Sequence, residues 1–278
     1  MSALAGTNPQ RPSVVGTDAR RFWNLTWTLA ATDFKLRFYG SVLGYVWTLA
    51  RPFLFFGVIY FVFTEIVGLD KSVRYYGVYI LFGLVLFNFF GEAVGGCVNC
   101  LVTRENLLRK MRFPRLVIPL SVVLTALMNL GMTLIAVVIF ALISGVRPTV
   151  TWLELPLLIV ALGMLATGIG LLLSALFVRF RDVQPIWDVI SQMLFYASPV
   201  LYVTTLVPES YQQAYMMSPV ATALSQMRHA VIDPEAPSAA ALAGGAVWLL
   251  VPAGIVVGLF ALGLYVFGRE APKIAENL

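Results

Sequence analysis

Charge is what this sequence has least of: 12% of its 278 residues are Asp, Glu, Lys or Arg, against about a quarter in soluble domains. With 59% of the chain hydrophobic, a free-standing soluble globule is excluded. Histidine occurs once, at His229, and cysteine twice, at Cys97 and Cys100. So few ligands exclude an ordinary zinc site, which gathers three or four nitrogen or sulfur donors. The spacing of three places both thiols on one helix face, where cysteine packs as a small apolar residue, and free thiols fit a reducing compartment. A phosphate-binding loop is missing too. None of the four lysines follows a glycine, so no GxxxxGK[ST] motif can be drawn. There is no HExxH, no GxSxG and no row of carboxylates on one face, so no catalytic residue, metal ligand or bound cofactor is assigned to this chain.

What the sequence has in quantity is long apolar runs. About 20 apolar residues cross a hydrocarbon core, and six stretches qualify: Gly44–Val67, Tyr76–Gly96, Leu116–Ile143, Trp152–Val178, Pro185–Thr204 and Gly245–Phe267. The expected fold class is therefore all-α integral membrane, with six transmembrane helices. Residues 1–19 lack the apolar core of a signal peptide and read as a disordered cytoplasmic tail. Residues 20–40 form an amphipathic helix, 44–268 the six-span domain and 269–278 a cytoplasmic C-terminal tail.

The basic residues orient the chain. Fifteen of the nineteen Lys and Arg residues fall in the N-terminal segment to Arg51, the Thr103–Arg115 connection, the Arg179–Arg181 connection and the C-terminus. Lys71, Arg74, Arg147 and Arg228 are the exceptions. Short basic connections stay inside, so both termini are expected in the cytoplasm. The net charge of +5 is then a topology signal and gives no support for nucleic-acid binding.

Between Arg20 and Phe38, Trp23, Trp27, Ala30, Phe34 and Phe38 share one face at helical period, with Arg21, Asn24, Thr28, Thr32 and Lys35 opposite. Such a helix suits the inner membrane interface, its tryptophans at headgroup depth. The connection Thr205–Gly244 contains two short helical patterns, Tyr211–Met217 and Val220–Ile232, divided by Ser218-Pro219. Each is too short to cross, and they read as a re-entrant pair, with a surface-lying pair as the alternative. Three ionisable residues fall inside spans, Arg51, Glu92 and Asp188. They are expected to pair with each other or with interfacial water. The segment TRENLLRKMRFPR, Thr103–Arg115, offers helix-forming residues capped by Thr103 and a strongly charged face for a cytosolic partner.

The run DFKLRFYGSVLGYVWTLARP, Asp33–Pro52, resembles the opening signature of the membrane subunit of ABC-type polysaccharide exporters, the Wzm-like and teichoic-acid permeases. Asp33, Lys35, Arg37, Ser41, Leu43-Gly44, Trp47 and Pro52 fall in register. ENLLRKMRFPRLVIPLS is similar to that family's coupling segment, and RFRDVQPIWD, SPVLY and SPVATALSQMR follow in order; Ser218 stands where the family has Asn before Pro219. The resemblance covers the chain after Arg20.

It implies a homodimer in the bacterial cytoplasmic membrane, joined to two cytosolic ATPase subunits that bind ATP and Mg. Its cargo would be an undecaprenyl- or decaprenyl-linked glycan of O-antigen, teichoic-acid or galactan type. An Ala-, Val- and Arg-rich composition points to an actinobacterial galactan exporter. The coupling residues would be Arg104, Glu105, Asn106, Arg109, Lys110 and Arg112. Trp23, Trp27, Phe34, Lys35 and Arg37 would belong to the interface helix, amid membrane lipid. The substrate path would run over aromatic rings of the first and fifth spans, Trp47, Tyr60, Phe195, Tyr196 and Tyr202. A drug or lipid exporter permease of the same architecture and a membrane-embedded glycosyl- or acyltransferase remain the alternatives.

Overall fold

The computed structural model describes residues 19–38, 42–66, 68, 73–110 and 113–277. The expected N-terminal tail, Gly40 and Arg112 lie outside the described residues. Among the described residues there is no strand. The long helices are α1 (Ala19–Phe38), α2 (Val42–Phe61, closing in a π turn Val62–Ile66) and α3 (Tyr76–Val98). Two short helices follow, α4 (Cys100–Thr103) and α5 (Glu105–Lys110), then α6 (Val117–Ile143), α7 (Glu154–Phe177) and α8 (Val183–Ala197). The chain ends with α9 (Glu209–Tyr215), α10 (Pro219–Met227), α11 (Ala239–Leu242) and α12 (Leu250–Asn277).

Helix α3 is apolar all round, the pattern of a helix meant for burial, and it forms the axis of the bundle. It packs against α6, α7, α2 and α8, and Tyr76, Tyr79, Phe82, Leu86 and Phe90 are fully enclosed. The two buried tyrosines spend their hydroxyls on the turn after α8. Tyr76 donates to the Leu201 carbonyl at 2.7 Å, and Tyr79 reaches the carbonyls of Pro199 and Tyr202. Helices α7 and α12 pack closest of all. A Cβ on Gly168 would lie 2.7 Å from the Leu259 carbonyl, and one on Gly263 would strike the Gly168 backbone. Gly170 likewise makes room for Cys97, whose Cβ would sit 2.8 Å from an added methyl group. Both cysteines are free and buried, as the packing reading expects. Burial pushes the Cys100 thiol up to about 12.

Five helical segments are long and apolar enough to cross a membrane: Val46–Ile66, Tyr76–Val98, Val117–Ile143, Val150–Phe177 and Ala246–Glu270. The segment expected to be the fifth of six spans, Pro185–Thr204, differs. Its helix α8 has only 15 residues, about 22 Å at 1.5 Å per residue, short of a hydrocarbon core of about 30 Å. The reason lies at Pro199: the residue before a proline is driven out of the helical region, and Ser198 is extended, with φ −91° and ψ 152°.

The short helices after α8 form where the pattern places them. Ser218 caps α10 by accepting from the Ala221 N–H, with Pro219 at the first helical position. Helix α10 is no surface element: Val220, Leu224 and Met227 are buried against α3, α7 and α12. Helix α9 stays outside, with Tyr211 exposed.

Candidate functional site at the basic end of the bundle

The basic connection and α1 meet at the end of the bundle where α3 finishes. Thr103 does not cap the helix that follows it. Its hydroxyl bonds back to the Asn99 carbonyl at 3.1 Å, closing α4, so the new helix starts at Glu105. A carboxylate in the first turn, Glu105, suits the positive helix start, and the side chains of Arg109 and Lys110 lie outside the described residues. Asn106 is exposed, and Glu105 is half-buried.

Arg104, between α4 and α5, turns inward. Its guanidinium pairs with the Asp33 carboxylate of α1 and donates to the Ser121 hydroxyl of α6 at 3.0 Å. One turn further along α1, Arg37 pairs with Glu92 of α3, and the same Glu92 oxygen accepts from Asn129 Nδ2 of α6 at 2.6 Å. Thr125 of α6 donates to the Ala30 carbonyl at 3.3 Å. Helix α1 is thus fastened to α6 at Ala30, to Arg104 by Asp33 and to α3 by Arg37, with Thr26 and Ala30 fully buried. This splits the apolar face read from the sequence. Ala30 points inward, while Trp23 and Trp27 are about half exposed. Lys35 is exposed and Phe34 half-buried.

Of the three ionisable residues in spans, Glu92 takes its partners from α1 and α6, and Asp188 accepts from Gln184 at 3.1 Å, one turn away. The pairing of these residues with each other is therefore replaced by pairing with Arg37 and with neighbouring amides.

Beside the Arg37–Glu92 pair opens a recess of about 980 Å³ between α1, α2, α3 and α6. Its polar end holds Arg37, Thr48, Arg51, Asn88, Glu92 and Asn129. The recess brings together Arg37 and Trp47, assigned from the sequence to two different roles. The other aromatic candidates lie elsewhere. Tyr60 stacks on Phe56 with ring centroids 5.4 Å apart, at the opposite end of α2. Phe195 packs edge-on against Phe87 of α3 at 5.2 Å. Tyr202 shares a hydrogen bond with the Tyr215 hydroxyl at 3.0 Å and donates to the Ala197 carbonyl at 3.1 Å. Burial, together with that Tyr202 bond, holds the Tyr215 phenol above the usual tyrosine range. Tyr196 alone of the α8 group is mostly exposed, at 61%.

Sequence reasoning missed Ser121, Thr125, Asn129 and Thr133. They recur every fourth residue through an otherwise apolar span, and all four are buried. That stripe marks the face of α6 that receives α1 and the Glu92 carboxylate, and its period was the signal available.

An amphipathic helix is fastened to a basic connection at one end of an otherwise apolar helical bundle, and comparison with known proteins gives its family. Residues 24–232 match the sequence profile of the ABC-2 type transporter. This chain belongs to the ABC-2 type transporter family. The ABC-2 chain is similar to the O-antigen export system permease protein RfbA of Klebsiella pneumoniae, 26% identical over 247 residues, which cover 88% of this chain and 92% of that protein. It is also similar to the O-antigen export system permease protein RfbA of Myxococcus xanthus, 29% identical over 191 residues, covering 69% and 73%. The protein is thus a multi-pass ABC-2 permease, and membership of this family implies an ATPase partner.

Proposed function

We propose that this chain is the transmembrane subunit of an ATP-driven exporter that carries a lipid-linked polysaccharide across the bacterial cytoplasmic membrane. It works as a homodimer with two cytosolic ATPase subunits, which bind ATP and Mg, and both termini face the cytoplasm. Helix α8, with the turn that follows it to Thr204, makes the fifth of six crossings, and α9 and α10 form the re-entrant pair. The glycan is carried on undecaprenyl or decaprenyl phosphate chemistry, and a galactan is the cargo that the composition favours. The observation that carries this reading is the Arg104–Asp33–Ser121 contact. It fastens the segment that faces the ATPase directly to the interface helix, so a push on the connection reaches α1 without an intervening loop. The names of the O-antigen export relatives support polysaccharide as the substrate class.

The test is reconstitution of the chain with and without its ATPase partner in vesicles loaded with a lipid-linked glycan. Glycan translocation is expected only in the complete assembly with ATP; product formation by this chain alone would identify a transferase instead. Orientation is checked in cells, where Lys110→Cys should resist impermeant thiol reagents added outside and Glu209→Cys should react. The reverse labelling pattern would invert the topology.

A further inference from the structure

The recess between α1, α2, α3 and α6 has a direction. Its polar end carries Arg37, Arg51 and Glu92 with the amides of Asn88 and Asn129, and its other end is walled by Leu54, Phe55, Val58, Val85 and Leu130. Arg51 lies five residues into the span that starts at Val46, about 8 Å along the helix. A guanidinium at that depth is costly unless it finds a counter-charge or reaches the interface. Arg37 has its counter-charge in Glu92, which Asn129 also holds. Among the described residues no ion pair engages Arg51. Two guanidinium groups therefore face one carboxylate, and the recess keeps one positive charge above an apolar trough.

Pro52 adds a second polar feature. Lacking an N–H, it leaves the Thr48 carbonyl without its helical donor, and Thr48 and Pro52 both line the recess. The Thr48 hydroxyl does not fill that place, because it donates to the Gly44 carbonyl at 2.9 Å. A guanidinium, a carbonyl that lacks its i+4 donor and an apolar groove stand in line along α2.

We propose that this recess seats the phosphate-bearing head of a lipid in the inner leaflet, with Arg51 as the phosphate ligand and the hydrocarbon chain lying along Leu54, Phe55 and Val58. Arg37, held in place by Glu92, lends a second guanidinium face to the same phosphate. A planar guanidinium matches phosphate oxygens two at a time, and the volume suits a phosphate head with part of its chain. The Thr48 carbonyl, which lacks its Pro52 donor, is placed to accept from a hydroxyl on the group attached to the phosphate. The proposal rests on the export reading for the identity of the lipid, since a polyprenyl phosphate and an ordinary anionic phospholipid share this chemistry.

The experiment uses the complete assembly with its ATPase partner, purified and titrated with three probes by native mass spectrometry: decaprenyl phosphate, phosphatidylglycerol and inorganic pyrophosphate. Arg51→Gln should weaken decaprenyl phosphate binding about tenfold, the effect of losing one charge-assisted contact. Arg51→Lys should restore part of it as a point charge. Val58→Trp should fill the trough and weaken the lipid without touching the anion end. Melting curves of each variant report folding separately from binding. Wild-type affinity in Arg51→Gln, or pyrophosphate bound as tightly as the lipid, overturns the site. Displacement of decaprenyl phosphate by equimolar phosphatidylglycerol assigns the recess to bulk lipid and overturns the substrate's lipid as occupant; failure to displace it assigns the recess to the polyprenyl carrier. Glycan translocation by an Arg51→Gln assembly that binds decaprenyl phosphate normally would sink the recess and leave the export reading intact, whereas absence of translocation by the wild-type assembly would sink the export reading by itself.

Discussion

Helices α2 and α3 are matched in length and apolar character, yet 78% of the most apolar stretch of α3 is buried and only 6% of that of α2. Hydropathy alone does not say which helix will be an axis and which a wall. What separates them is the company they keep. Helix α3 is gripped on all sides by α6, α7 and α8, with its tyrosine hydroxyls bonded to the turn that ends α8. Helix α2 touches mainly α3 and turns Trp47, Leu54, Phe55, Val58 and Phe61 outward. In a membrane such a face is solvated by lipid tails as well as by protein, so its exposure costs little. One helix is enclosed by its own chain, and the other keeps an open apolar face.

Glycine replacement gives the largest expected contrast. Leucine at Gly170, where an added Cβ meets Cys97 of α3 at 2.8 Å, should lower stability by about 3 kcal/mol or more through overpacking. Leucine at Gly57 of α2, with nothing within 4 Å, should change it by no more than about 0.5 kcal/mol. Melting of the detergent-purified proteins measures both, and equal losses would erase the distinction between the two helices.

Helix α8 divides the same way within two adjacent residues. Phe195→Ala removes a half-buried ring from Phe87 and should cost about 2 kcal/mol, less than a fully buried phenylalanine. Tyr196→Ala removes an exposed ring and should leave stability within about 0.5 kcal/mol while changing glycan translocation. If Tyr196→Ala translocates normally, that ring lies off the substrate path.

The smallest effect on stability and the most specific on function belongs to Asp33 and Arg104. Their side chains are 30% and 20% exposed, so the pair is worth about 1 kcal/mol, between screened surface pairs and enclosed ones. Asp33→Arg or Arg104→Asp alone should uncouple ATP hydrolysis from translocation, and the double exchange should recover coupling. Failure of the double exchange to recover, with both proteins folded, would deny that the connection drives α1 through this contact.

Much of this organisation was legible in the sequence. Apolar runs give the spans, and Ser218-Pro219 gives the cap of α10. The basic segment gives the position of Arg104, although not its inward turn, because a charge run reads as solvated until its counter-ions are located. Asp33 and Glu92 are separated from their partners by 71 and 55 residues, and no local pattern reports such pairing. Helix α8 was overestimated because apolarity continues past Pro199 while the backbone does not. The polar stripe of α6 was readable by period, yet it is diluted among apolar neighbours and vanishes in any average taken along the span.

The two ionic contacts of α1 have opposite polarity and lie one helical turn apart: Asp33 faces Arg104, and Arg37 faces Glu92. A slide of one turn in one direction would carry Arg37 up to Arg104, and in the other would bring Asp33 to Glu92. Either shift sets like charge against like. The pattern therefore works as a two-tooth key that accepts a single register, and α1 cannot ratchet along its bed. It can travel only together with the Arg104 connection and α3, or come away from both at once.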